Sequence, residues 1–188
     1  MAKIIKPLQP VLVDKVIEWM QTRLSIDLIW LDYSFGRVQR LVKKDVNGAD
    51  VFYPAMYLDS GEYMNCLPDQ DLGNIMFFTV DDPQNVEWNP GNLKKFTVSF
   101  SIIFWYDIMK SYGYGVNSEY AKGDIIKKLS KIHIPYQGAS FTITKIYDKA
   151  ENIYKGFSLK EVKTQFLMFP YSGVRFEGEL TFMENCTQ

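Results

Sequence analysis

Residues 95–106 alternate with period two: Phe96, Val98, Phe100, Ile102 and Phe104 fall on one side, Thr97, Ser99 and Ser101 on the other. Successive side chains of an extended chain point to opposite faces, whereas the apolar residues of an amphipathic helix recur every three or four positions. The segment is therefore a long strand with one apolar face, and it needs a sheet and a covering layer to bury that face. Strand patterns recur at residues 28–31, 38–42, 51–58, 75–80, 141–147 and 174–183, and Asn47-Gly48 is a hairpin signal because both residues tolerate positive φ.

Two segments switch to the helical period. Val13, Val16, Ile17, Met20 and Leu24 are separated by Asp14, Lys15, Glu18 and Gln21, which predicts a helix over residues 11–23 after Pro7 and Pro10. Asn117 or Ser118 is placed to cap a second helix reaching about residue 132, with Ile125, Ile126 and Leu129 on its buried stripe and Pro135 beyond its end. Ser158-Leu159-Lys160-Glu161 has the form of a capping box opening a short helix that Pro170 stops. Residues 59–91, rich in Asp, Asn, Pro and Gly, read as exposed loops around one short strand, the place where partner contacts are expected. The reading is a single α+β domain over residues 1–188, with a mixed, largely antiparallel sheet and two longer helices on one face. A chain of 188 residues with 47% hydrophobic and 15% aromatic side chains can bury such a core without disulfides or metal.

Charge and motifs narrow the chemistry. Lys plus Arg number 21 against 22 Asp plus Glu, which gives no field to hold a polyanion. Groups such as Arg37, Arg40, Lys43 and Lys44, or Lys127, Lys128 and Lys131, read as solvated faces. Cys66 and Cys186 stand alone, without CxxC or histidine-rich surroundings, and read as free thiols in a reducing compartment. The first ten residues lack the apolar core of a signal peptide, and no run of 18 apolar residues marks a membrane span. Hydrolase, nucleotide-binding and zinc signatures are absent, and the lone His133 fits the end of a helix, so neither catalysis nor a metal or other cofactor is expected. The rival reading from the residues is a small metal-dependent hydrolase or nuclease drawing on Asp69, Asp71, Asp81 and Asp82. A third is a binding module that uses exposed aromatics, Trp30, Trp88 and Trp105 among them.

The order of helix, hairpin strands, long strand, second helix, strand, short helix and last strand is similar to that of bacteriophage tail-terminator and tail-completion proteins. The segment from Ser158 to Phe176, with Gln165-Phe166-Leu167-Met168 and Pro170-Tyr171 before a final strand, resembles one met in neck and head-tail joining proteins of Bacteroidales and crAss-like phages. Tyr53-Pro54-Ala55 and Leu67-Pro68-Asp69 are compatible with it. The resemblance implies a structural virion protein without catalysis, made in the bacterial cytoplasm. Its protomers would close into a homo-oligomeric ring through heterologous contacts, meet neighbouring neck or tail proteins, and let DNA pass without sequence-specific binding or any membrane association. Asp69, Asp71, Phe169 and Tyr171 are the residues expected at its interfaces.

Overall fold

The chain's computed structural model describes residues 2–7, 9–58, 61–88, 93–136 and 138–185. In chain order its elements are β1 (Lys3–Ile5), α1 (Val13–Asp27), β2 (Tyr33–Arg37), β3 (Gln39–Lys44), β4 (Asp50–Tyr57), β5 (Tyr63–Asn65), β6 (Ile75–Trp88) and β7 (Leu93–Asp107). There follow α2 (Ile108–Tyr112), α3 (Ser118–Leu129), β8 (Ser140–Tyr147), α4 (Ala150–Ile153) and β9 (Tyr171–Asn185), with 3-10 turns at Leu159–Glu161 and Thr164–Leu167 before the last strand. A six-stranded sheet has the order β1-β2-β6-β7-β9-β8, and β3-β4-β5 form a smaller one. Only the β1–β2 and β2–β6 pairs of the large sheet are parallel, so the architecture is α+β with a mixed, largely antiparallel sheet.

The alternation in β7 decides which layer covers which face. Phe96, Val98, Phe100, Ile102, Phe104 and Tyr106 join Val174, Phe176, Leu180 and Phe182 of β9 in one buried cluster. Over this cluster lie Val16, Ile17, Met20 and Leu24 of α1 and Ala121, Ile125 and Leu129 of α3, so the two longer helices pack on the same face. The odd positions face the other way: Ile103 and Trp105 join Ile75, Phe77, Ile153, Tyr154 and Phe166 in a second cluster beneath α4 and the segment before β9. Trp105 is thus core, 3% exposed, and unavailable to a ligand, whereas Trp88 stands 75% exposed.

Several local expectations shift. Leu12 has a positive φ of 49°, so α1 opens at Val13; it runs on to Asp27, and Leu24 and Ser25 end its buried stripe. Residues 28–31 form a turn rather than a strand: Leu28 N–H donates to Leu24 O and Leu31 N–H to Leu28 O, which buries both leucines and leaves Ile29 85% exposed. The long loop expected at 59–91 is largely strand, because β6 runs through Asp81 and Asp82 to Trp88; residues 59–60 and 89–91 lie outside the described residues, as does Cys186. A register shift between Asp81 and Asn85 lets β6 pass the proline there and resume pairing with β7. Ser158 caps no helix; its N–H donates to Phe52 O and its Oγ accepts from Phe52 N–H, tying the segment before β9 to β4. Asn117 does cap α3, its side chain accepting from Tyr120 N–H.

Candidate functional site

One end of the large sheet gathers the start of β6, the end of β7 and the start of β9, and Asn74 holds it together. Its Nδ2 donates to Trp30 O at 2.8 Å and to Ser111 Oγ at 3.1 Å, its Oδ1 accepts from Asp107 N–H at 2.8 Å, and its own N–H donates to Asp32 Oδ2. Asp32 also meets Lys110 at 2.7 Å, and Gly73, at φ 62°, leaves no room for a Cβ against that carboxylate. Glycine is the residue that tolerates both constraints. Beside this network Trp30 Nε1 donates to the Tyr112 hydroxyl, which donates to Asp124, and burial together with that carboxylate pushes the Tyr112 phenol up.

The two segments expected at interfaces meet at this end. In the loop after β5, Asp69 Oδ1 accepts from Asp71 N–H at 3.0 Å and the Asp69 carbonyl accepts from Gly73 N–H. The Asp69 carboxylate lies 3.8 Å from Lys163, and Leu67 and Leu72 share a buried cluster with Phe166, so the loop and the segment before β9 form one surface. Asp71 is exposed and Asp69 half-buried. The Tyr171 ring stacks edge-on against Phe166 at 4.9 Å, which makes it a packing residue of this surface. Phe169 points outward: Leu167, Met168 and Phe169 are 37%, 61% and 71% exposed in succession. Ile29 and Tyr114, 85% and 90% exposed, belong to turns at the same end.

No family model matches this chain, and no curated protein matches it significantly.

The four aspartates of the acidic reading do not converge. Asp69 and Asp71 line a pocket with Lys163, whereas Asp81 lines another with Arg175, 4.0 Å from its guanidinium. No group of three or more His, Cys, Asp or Glu able to hold a metal occurs among the described residues. His133 is exposed on a cavity of about 410 Å³ between the end of α3 and β8, and among the described residues no carboxylate lines that cavity. The basic hairpin arm is largely paired: Arg37 forks onto Asp14 at 2.9 and 3.0 Å, Lys43 meets Glu161 at 2.5 Å, and Arg40 lies over the Phe52 ring. No described helix is long and apolar enough to cross a membrane.

Sequence reasoning passed over Asn74 and Arg175, read Ile29 within a strand, and took Met168 for core, whereas Ile29 and Met168 are exposed. Asn74 follows a glycine in a polar loop and looks like any turn residue, and the outward placement of Met168 and Ile29 depends on turns without periodicity. Arg175 had a signal: Val174-Arg175-Phe176-Glu177 alternates apolar and charged side chains in a strand, which puts Arg175 and Glu177 on the same face.

Proposed function

We propose that this chain is a structural virion protein that assembles with copies of itself into a ring at the neck or tail of a bacteriophage, as a tail terminator or head-tail joining protein, and performs no catalysis. The observation that carries the reading is the run Leu167, Met168 and Phe169, three consecutive apolar side chains turned to solvent. Contiguous exposed apolar surface of this kind is characteristic of protein interfaces. The run falls inside the segment that resembles phage neck and tail-joining proteins, and the Asp69–Lys163 pair ties the polar loop to that same segment, which suits a polar rim around an apolar contact. A formal net charge of −1 suits a ring that lets DNA pass without gripping it. Adjoining neck or tail proteins would be the further partners.

Light scattering across a concentration series, followed by negative-stain imaging, tests the reading. Closed rings of uniform diameter are the expected species. A strict monomer at every concentration, also in the presence of isolated phage necks and tails, would overturn it.

A further inference from the structure

The sheet face opposite α1 and α3 is apolar for only part of its length. In register, β6 places Phe77, Thr79 and Asp81 there, β7 places Ile103, Ser101 and Ser99, and β9 places Arg175, Glu177 and Glu179. Arg175 stands where the apolar part ends. It is 2% exposed, yet its contacts are long: Nη1 lies 3.5 Å from Lys155 O, and Nη2 lies 3.6 Å from Glu177 and 4.0 Å from Asp81. Its Nε and the Oγ1 of Thr79, itself 8% exposed, have no hydrogen-bond partner among the described residues. Buried donors left this far from acceptors are costly, and a guanidinium carries five of them.

A pocket of about 340 Å³ opens at this point, with Arg175, Thr79, Arg40 and Lys155 in its wall. Asp81 is the carboxylate in its wall and Glu177, 3.6 Å from Arg175 and 3.9 Å from Lys155, stands beside it, so three cations meet two carboxylates and positive charge prevails, while Val38 and Phe157 supply an apolar side. Two guanidinium groups, an ammonium and a hydroxyl offer more donors than the two oxygens of a carboxylate accept, and they suit a tetrahedral oxyanion. We infer that this pocket binds a small phosphate monoester, with the phosphate on Arg175, Thr79 and Lys155 and the organic group on Val38 and Phe157. The inference goes beyond assembly and stands whether or not the chain forms rings.

Calorimetric titration of the full chain with phenyl phosphate, in phosphate-free buffer of low ionic strength, tests it, with inorganic phosphate and benzoate as comparison probes. Removing Arg175 would leave Glu177 buried beside weaker partners and endanger folding, so the variants sit around it. The expected result is one phenyl phosphate per chain, displaced by inorganic phosphate and bound more tightly than benzoate. Thr79→Val and Lys155→Gln should each weaken binding about 5- to 10-fold, the loss of a hydrogen bond or charge contact. Asp81→Asn should strengthen binding by removing a competing carboxylate, and Lys127→Gln should leave it unchanged. Absence of saturable binding, benzoate binding as tightly as phenyl phosphate, or affinity indifferent to Thr79, Lys155 and Asp81 would each overturn the assignment.

Discussion

Asn74 shows how much of this structure one polar side chain can hold. It is 1% exposed and engages Trp30, Ser111 and Asp107 at once, so its truncation leaves a half-buried backbone N–H and a half-buried backbone carbonyl without their partner. Asn74→Ala is expected to cost about 1–3 kcal/mol, as two half-buried groups lose their partner, and urea denaturation measures it; a loss no larger than that of an exposed Asn→Ala change would refute the role. Titratable residues give a second expectation at this scale. Burial raises the Tyr106 phenol from 10.0 to about 12, opposed by a hydrogen bond from Ser172, and burial likewise raises Tyr112, Tyr154 and the Cys66 thiol. In each case the folded state favours the protonated form. Stability is therefore intact well below pH 9.0, at which the unfolded thiol is half ionised, and falls from there through the window from 10.0 to about 12 in which unfolded phenols ionise ahead of Tyr106. Denaturation midpoints taken from pH 8 to pH 11 check this, and an unchanged midpoint across that range would contradict it.

Among the elements, β9 is the most constrained. Gly178 faces Ile143 on β8 just where the register shifts toward Lys145, and a Cβ there would overlap the Thr142 carbonyl. Gly178→Ala should push β8 outward and cost about 1–3 kcal/mol, the usual scale of overpacking. Gly123, in the middle of α3, is the counterpart: a Cβ there meets nothing within 4 Å, and Gly123→Ala should add about 0.5–1 kcal/mol of helix stability. Thermal unfolding of the two variants separates these signs, and equal shifts would defeat both expectations. The same elements show what could be read beforehand. Alternation made β7, β9 and the first half of β8 legible, and the threefold and fourfold spacing in α1 and α3 gave each helix one apolar face, because burial on a single face imposes a period on the sequence. The length of β6 was hidden: Asp81-Asp82-Pro83 has turn chemistry, and what keeps it extended is pairing with β7 across a register shift, a tertiary effect without local trace. For the site, the apolar character of Leu167-Met168-Phe169 was visible but its exposure was not. Exposure there follows from Phe166 turning inward onto Tyr171 while its successors find no layer to cover them.

At the scale of the whole molecule, a chain with two buried clusters on opposite faces of one sheet has no need of a partner to complete its core, so any assembly must rest on what the surface offers. The end defined by Asn74 offers Met168 and Phe169, and both are exposed enough that replacing them should leave the isolated fold within about 0.5 kcal/mol of the parent. In a cyclic ring every protomer contributes the patch to one neighbour and receives a different surface from the other, so a change at the patch is repeated at each interface. Fully burying such a side chain is worth about 1.5–3 kcal/mol, and Met168→Ser with Phe169→Ser should thus weaken each interface at least tenfold. Asp69→Ala removes a partly exposed ion pair 3.8 Å long and should weaken assembly by less than 1 kcal/mol. Sedimentation velocity on the parent, the double variant and Asp69→Ala, with unfolding curves for all three, reads both quantities on one set of samples. Loss of the ring in the double variant with its unfolding midpoint unchanged would locate the interface at the apolar run, whereas rings forming at the parental concentration would move the interface to another surface of the fold.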